Sequence, residues 1–522
     1  MNLFEQTVVT RLEQRTRRYF LKESLNGLAG TLLGIGGSGA LAATQFAKPD
    51  LATPFATRAP LGPATAKRVI FIHLAGAPSQ LELFDYKPEL CKLDGQDCPS
   101  EFIEGKRFAF IRGVPKLLGS VYPFKQVGQS GTWLSDRLPY FEKVVDKVCF
   151  LRTMQTDQFN HAPAELLLHT GNQNLGYASM GCWATYGLGN ENQNLPGFVV
   201  LLSGGAFPSA GKSLWGSGFL PAVYQGVQCR SQGEPVLFLT NPPGISRTIR
   251  GQQIDALRQI NQETYEHFGD PQTVARISQY EMAYRMQIAA TDAVDITQEP
   301  QHIHALYGSQ PGAESFANNC LLARRLVERG VRYVQLFDSG WDSHGANAEE
   351  ALNKGFQNKC RDIDQATAAL LIDLEQRGLL DETLVIWGGE FGRTVYCQGP
   401  LSRENYGRDH HPRCFTMWMA GGGIKPGITY GETDDYCYNI VRDSVPVHDC
   451  NATILHCLGI DHTRLTYRFQ GRDFRLTDVH GEVVNGLLTH HLARGGSVVL
   501  TSHQALSLRG VAPALFDLGS AA

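Results

Sequence analysis

The chain has 522 residues, a formal charge of −4, 43% hydrophobic and 19% charged residues, so it can bury a substantial core and hold one large or two to three ordinary domains. A charge so near neutral, with no basic run interleaved with aromatics, gives no reason to expect nucleic acid or an acidic membrane surface as partner. The twelve cysteines contain no CxxC pair and no zinc-finger spacing, which argues against a structural zinc module; Cys91 and Cys98 could bridge a loop, and most of the twelve read as small buried hydrophobes.

The N-terminus carries Thr16-Arg17-Arg18-Tyr19-Phe20-Leu21-Lys22, then a weakly apolar stretch from Leu25 to Ala43 with Ala40-Leu41-Ala42 as a cleavage site. Residues 1–43 resemble a twin-arginine export signal, which implies the twin-arginine export machinery as a partner and a periplasmic or otherwise exported destination. An amphipathic helix or membrane anchor is the competing reading. Six glycines between Gly27 and Gly39 count against a spanning helix, so no stable membrane span is expected in the mature chain. Residues 44–67, rich in Ala, Pro and Thr, read as a linker, and 68–490 as the folded domain.

That domain opens with Arg68-Val69-Ile70-Phe71-Ile72-His73-Leu74, a short apolar run typical of a buried parallel strand, broken by Ala75-Gly76-Ala77-Pro78-Ser79. Glu82 and Asp85 follow, as site candidates or as ordinary cap and turn residues. Val144 to Met154 predicts another central strand, and Ala164 to His169 a helix ending at Thr170-Gly171. Thr156 or His161 would lie near that helix's N-terminus, where backbone N–H groups favour an anion; plain capping by Thr156 or Asp157 explains the same residues.

Leu202 to Leu220 reads as a long Gly/Ser-rich loop, and the segment about 250–300 as a helical insertion broken at Gly269-Asp270-Pro271. A helix from Asn318 to Arg329 feeds a strand, Val331 to Phe337, which runs into Asp338-Ser339-Gly340-Trp341-Asp342-Ser343-His344-Gly345. An amphipathic helix, Phe356 to Arg377, precedes the strand Thr383 to Trp387, which ends in Gly388-Gly389-Glu390-Phe391-Gly392-Arg393-Thr394. Gly407-Arg408-Asp409-His410-His411-Pro412 comes next, then a strand, Phe415 to Ala420, and a short helix, Ala452 to Leu458. Residues 491–522 form a C-terminal tail with no legible role.

Alternating helices and strands predict an α/β fold with a mostly parallel central sheet flanked by helices. Ligands bind such sheets beyond the carboxyl ends of the strands, so Asp342-x-His344, Glu390 and His410 can converge although far apart in sequence. Their oxygen and nitrogen donors suit zinc, and with more carboxylates manganese or iron. His344 could equally bond to a backbone carbonyl, and Arg393 could pair with Glu390 or hold an anion.

The order of these pieces resembles the alkaline phosphatase and sulfatase superfamily. Trp341-Asp342-Ser343-His344, Gly389-Glu390-Phe391-Gly392-Arg393-Thr394, Asp409-His410 and Gly471-Arg472-Asp473-Phe474 look more closely like an exported bacterial family known as domain of unknown function 1501. The likeness spans Arg68 to Leu488 and implies an alkaline phosphatase-like sandwich with one or two divalent ions at the strand ends, zinc or manganese foremost. Asp342, His344 and His410 match ligand positions. Where catalytic relatives carry an Asp-His pair this chain has Gly389-Glu390, where they carry an Asp after the first strand it has His73-Leu74-Ala75-Gly76, and no cysteine begins a Cys-x-Pro-x-Arg pattern. A one-metal or altered site is therefore expected, held by Asp342, His344 and His410 with Glu390. Thr156 is then the candidate nucleophile, His161 the acid/base and Arg393 the holder of a small anionic ester substrate. The implied activity is metal-dependent hydrolysis of phosphate or sulfate esters. The alternative is a non-catalytic periplasmic binding or scaffold protein that retains the fold.

Overall fold

The computed structural model describes residues 49–488 apart from 51–52, 106–110, 112, 231–240, 242–243, 270, 400 and 403. The expected export signal at 1–43 and the tail at 491–522 lie outside the described residues. Residues 53–67, read as a linker, run along the domain as a strap: the backbone N–H groups of Arg58, Gly62 and Thr65 donate to the carbonyls of Leu188, Gly459 and Cys457.

Among the described residues the central sheet has nine strands. Taken with one site hairpin, the strands that matter are β1 (Arg68–Ala75), β2 (Val148–Gln155), β3 (Phe198–Ser203), β4 (Val227–Cys229), β5 (Tyr333–Ser339), β6 (Thr383–Gly388), β7 (Gly392–Cys397), β8 (Arg408–His411), β9 (Phe415–Ala420), β10 (Ile428–Tyr430) and β11 (Val445–Pro446). Across the sheet they run β10-β2-β9-β6-β1-β5-β3-β4, with β11 also on β2 and β7–β8 forming a separate antiparallel pair. The middle strands β5, β6 and β9 are buried at every position, as near-continuous Val, Ile, Leu and aromatic runs require when both faces are covered.

The covering helices are α1 (His161–Thr170), α2 (Met180–Leu188), α3 (Arg247–Phe268), α4 (Pro271–Val294), α5 (Phe316–Glu328), α6 (Gly355–Gln376) and α7 (Val447–Cys457). The helices α3 and α4 occupy the segment read as a helical insertion, and α3 buries none of its residues. Residues 144–147, expected as the start of a strand, belong instead to a 3-10 turn, Phe141–Lys147, anchored where the Asp364 carboxylate accepts the N–H groups of Tyr140 and Phe141.

One departure from a parallel sheet positions the site. β9 is antiparallel to both β2 and β6, so it enters the sheet from the edge where the other strands end. The chain leading into β9 therefore delivers residues 408–413 to the edge where β1, β5 and β6 release their loops. Register fixes those loops side by side, with Ala75 opposite Ser339 and His73 opposite Gly388.

Candidate metal centre

Three loops and one helix start meet at that edge. Gly76, the first residue past β1, sits at φ +103°, and a Cβ there would come within 2.6 Å of the Asp342 amide nitrogen; only glycine lets the two loops approach this closely. Gly407 serves likewise, since a Cβ would lie 2.1 Å from the Ser343 carbonyl. Upstream, the buried Asp338 carboxylate holds the loop start by accepting from Ser203 Oγ, Trp341 Nε1 and Lys359 Nζ at 2.7, 3.0 and 2.5 Å.

The Asp342 carboxylate is the centre of the cluster. His344 Nε2 stands 2.9 Å and His410 Nε2 3.3 Å from its Oδ1, and His161 Nε2 stands 3.3 Å from its Oδ2. Each imidazole is oriented by its other nitrogen. His344 Nδ1 donates to the Arg408 carbonyl at 3.0 Å, His410 Nδ1 to the Phe159 carbonyl at 2.7 Å, and His161 Nδ1 to Glu390 Oε1 at 2.6 Å. Those acceptors place the proton on Nδ1, so a neutral ring turns its Nε2 lone pair toward Asp342 in all three cases.

With the rings neutral, three lone pairs face a carboxylate and repel it unless a metal ion or an added proton lies between them. The four side chains offer ligand atoms all within 4.8 Å of one another, and His161 Nε2 is buried with no hydrogen-bond partner. Zinc bonds of about 2.0–2.1 Å in a tetrahedron put ligand atoms about 3.3 Å apart, close to the 2.9–3.3 Å between each ring Nε2 and an Asp342 oxygen. The donor set thus fits a divalent transition ion. Phe391 walls the rings, its centroid 5.0 Å from that of His161 and 4.4 Å from that of His410, while the Asp342 side chain keeps 41% of its surface open to solvent.

Burial pushes the Asp342 carboxyl up, yet the three imidazoles and the Arg393 charge beside it outweigh that and hold the group well below the usual carboxylate range. Burial would lower His161, but the Asp342 and Glu390 carboxylates against its two nitrogens push it up to about 9 from an ordinary value of 6.5. In metal-free protein this raised folded-state value contributes stability that is complete below about 6.5 and is lost as pH rises through about 9. Chelator-treated protein is accordingly expected to lose stability toward urea across that window, whereas metal binding, which needs the ring neutral, should strengthen across it; a flat profile in both measurements would contradict the geometry.

The structure gathers five of the seven sequence-derived site residues at the Asp342 carboxylate: Asp342 itself, His161, His344, Arg393 and His410. Glu390 stands one layer back, fully buried, accepting from His161 Nδ1 and the Gly76 N–H and lying 3.3 Å from His73 Nε2. Burial raises its carboxyl and the two histidines more than offset that, leaving it below the ordinary range. Arg393 is also buried. Its Nε donates to the Ala77 carbonyl, Nη1 to the Arg408 carbonyl, and Nη2 to the Gly76 carbonyl and to Asp342 Oδ1 at 2.5 Å. Four of its five donors are thereby committed to the protein. Thr156 lies elsewhere, its Oγ1 accepting from the Gln158 N–H at 3.3 Å and its side chain lining a polar cavity with His448, Asp449 and His480.

Sequence reasoning missed the layer behind. His161, Glu165 and His169 recur every four residues and so share one face of α1, a spacing that marks them as neighbours. Glu165 joins His73 and Glu390 in a second, fully buried group of ligand-type atoms within 4.8 Å, and His169 Nε2 lies 3.2 Å from His73 Nδ1. Burial together with the His73 charge holds His169 well below its ordinary value, hence neutral.

Residues 66–488 match a family described as "Protein of unknown function (DUF1501)". No curated protein sequence matches the chain. Among solved structures it is similar to the lipoteichoic acid synthase LtaP from Listeria monocytogenes, at 8% identity over 80% of this chain and 75% of that one, with a TM-score of 0.36. Similar too are the PsFucS1 sulfatase from Pseudoalteromonas sp., at 12% identity over 79% and 75% with a TM-score of 0.33, and the alkaline phosphatase from the Antarctic bacterium TAB5, at 11% over 70% and 94% with a TM-score of 0.28.

Proposed function

The chain belongs to the DUF1501 family, and from that premise and its metal centre we propose that it is an exported metal-dependent hydrolase of small anionic esters, phosphate or sulfate. The observation that carries this reading is the convergence of three Nδ1-anchored imidazoles on the Asp342 carboxylate. His161, Asp342, His344 and His410 would hold one divalent ion, zinc or manganese, which when bound acts as a Lewis acid on an ester oxygen. Asp342 and the three rings fix the ion's place at the solvent-open end of the sheet. Arg393 positions Asp342 and ties the loops past β1 and β5 to the start of β8. Glu390 holds His161 in the tautomer that presents Nε2. The paired Arg17-Arg18 with the apolar stretch behind them supports export through the twin-arginine pathway.

Metal analysis of purified protein, paired with a screen on aryl phosphates and aryl sulfates, tests the proposal. One equivalent of bound ion together with turnover that a chelator abolishes is the expected result. Metal-free, inactive protein would overturn it. Glu390→Gln is expected to weaken metal binding by about 10–100-fold, the usual cost of losing a group that orients a ligand, while the protein still folds.

One observation favours a second reading, a binding or scaffold protein. Four protein ligands already complete a tetrahedral shell, the arrangement of structural sites, and among the described residues no serine, threonine or cysteine side chain hydrogen-bonds to them. Stoichiometric metal with no turnover on any anionic ester would select that reading.

A further inference from the structure

Behind the metal centre lies a pair of cysteines that neither reading uses. Cys414 immediately precedes β9, four residues past His410, and Cys437 sits 23 positions further on. Their sulfurs are 3.9 Å apart, and Cys414 Sγ also lies 3.2 Å from the Cys437 carbonyl, as a donor to it. Both residues are fully buried, and neither is bonded to another cysteine in the structure. We propose that Cys414 and Cys437 are a disulfide-forming site, oxidised by a small disulfide compound such as oxidised glutathione.

The loop that carries Cys437 is already shaped to present it. The Asp434 carboxylate accepts the N–H groups of Tyr436, Tyr438 and Asn439 at 3.1, 2.8 and 2.9 Å, and the Cys437 N–H donates to the Asp434 carbonyl at 3.0 Å. Cys437 itself is held at φ +61°, a left-handed conformation that costs energy for a residue with a side chain and is retained only where the surroundings impose it. A disulfide needs the sulfurs at about 2.05 Å, so closure requires about 2 Å of approach shared between two side chains.

The pair is also chemically asymmetric. The hydrogen bond from Cys437 lowers Cys414, burial opposes that, and His411 adds to it, leaving Cys414 pushed down to about 6. Cys437 is pushed well above its ordinary value by the same bond and by burial. Cys414 is therefore the attacking thiolate. It forms a bond to one sulfur of the oxidant and expels the other as a thiolate, giving a mixed disulfide. Cys437 then passes its proton to the departing thiolate and attacks the Cys414 sulfur, expelling the second thiolate. Two cysteines lose two electrons, and one external disulfide becomes two thiols.

A bridge here would bear on the site's geometry without touching a ligand. Gln80 Nε2 lies 3.6 Å from Cys437 Sγ, and the same side chain clamps Arg393, donating to its carbonyl and accepting from its N–H, both at 2.9 Å. The bond would staple the 434–439 loop to the chain entering β9, next to the backbone that carries Arg393.

The inference is independent of whether a metal binds. Full-length protein is treated with oxidised glutathione in two arms, once native and once during refolding from urea, then denatured, alkylated and peptide-mapped by mass. A linked Cys414–Cys437 peptide pair with the other ten cysteines alkylated is the expected result in at least one arm. With it should come a rise of several degrees in Tm that dithiothreitol reverses and Cys437→Ser removes. Both cysteines alkylated in both arms, or either joined to a different cysteine, would overturn the proposal; the mapping uses unsubstituted protein, so it stands even if Cys437→Ser fails to fold.

Discussion

His344→Ala is expected to yield folded protein whose metal affinity has fallen by at least about a hundredfold, read as loss of stoichiometric zinc or manganese after dialysis. Losing a group that merely orients a ligand costs about 10–100-fold, so losing a ligand sets that as the floor. The substitution removes one of three imidazoles that meet at Asp342 and frees the Arg408 carbonyl from one of its two donors, while Arg393 Nη1 keeps the other at 3.2 Å. The strand that carries His410 should therefore stay in place. Full metal occupancy in His344→Ala would show that the ion, if bound, sits elsewhere, and the hydrolase reading would lose its foundation.

The largest effect on stability is expected from Glu82→Ala. Glu82 and Arg408 form an ion pair with neither side chain exposed: Arg408 Nη2 lies 2.6 Å from Glu82 Oε1, and Nε donates to both oxygens at 3.1–3.2 Å. The rest of the guanidinium is spent on the carbonyls of Leu118, Thr394 and Gly119. Removing one partner of such a pair leaves an uncompensated buried charge, which costs about 3–5 kcal/mol. Urea unfolding measures it directly. Because the Arg408 carbonyl orients His344 and accepts from Arg393, metal affinity should fall in the same variant, tying a buried pair far from solvent to the centre at the sheet edge. A loss under about 1 kcal/mol would mean that the interior relaxes around a free arginine, and the bracing role of the pair would be wrong.

Glu82 shows where sequence reasoning reaches its limit. Its position just past the first strand marks it as a site candidate or a turn residue, and neither category contains what it does: neutralise an arginine more than three hundred residues away. Arg393 is the same lesson at the site. Its planar donors announce an anion or a carboxylate, and only the approach of the Gly76, Ala77 and Arg408 carbonyls decides that they are spent within the protein. Likewise Glu390 and His161 read as ligand and acid/base from the sequence, while the contact between them needs the loop past β6 to meet the start of α1. The four-residue spacing of His161, Glu165 and His169 was legible, but on a short helix the same spacing marks any buried face.

By itself the sequence determined what depends on local periodicity and composition: the near-parallel α/β sheet, the helical character of residues 250–294, the burial of most cysteines, and the placing of Asp342, His344 and Glu390 on loops at strand ends, whereas His410, read as a loop residue, lies within β8. Those follow because strands buried on both faces must be continuously apolar and the chain can change direction only where polar and glycine residues allow it. Tertiary structure alone decided that β9 runs against its neighbours, that His161 joins the cluster while Glu390 supports it from behind, that Thr156 lines another cavity, and that Cys414 faces Cys437. Each is a contact between residues distant in the chain, fixed by strand register and loop approach to within about 1 Å, and no periodic signal carries that information.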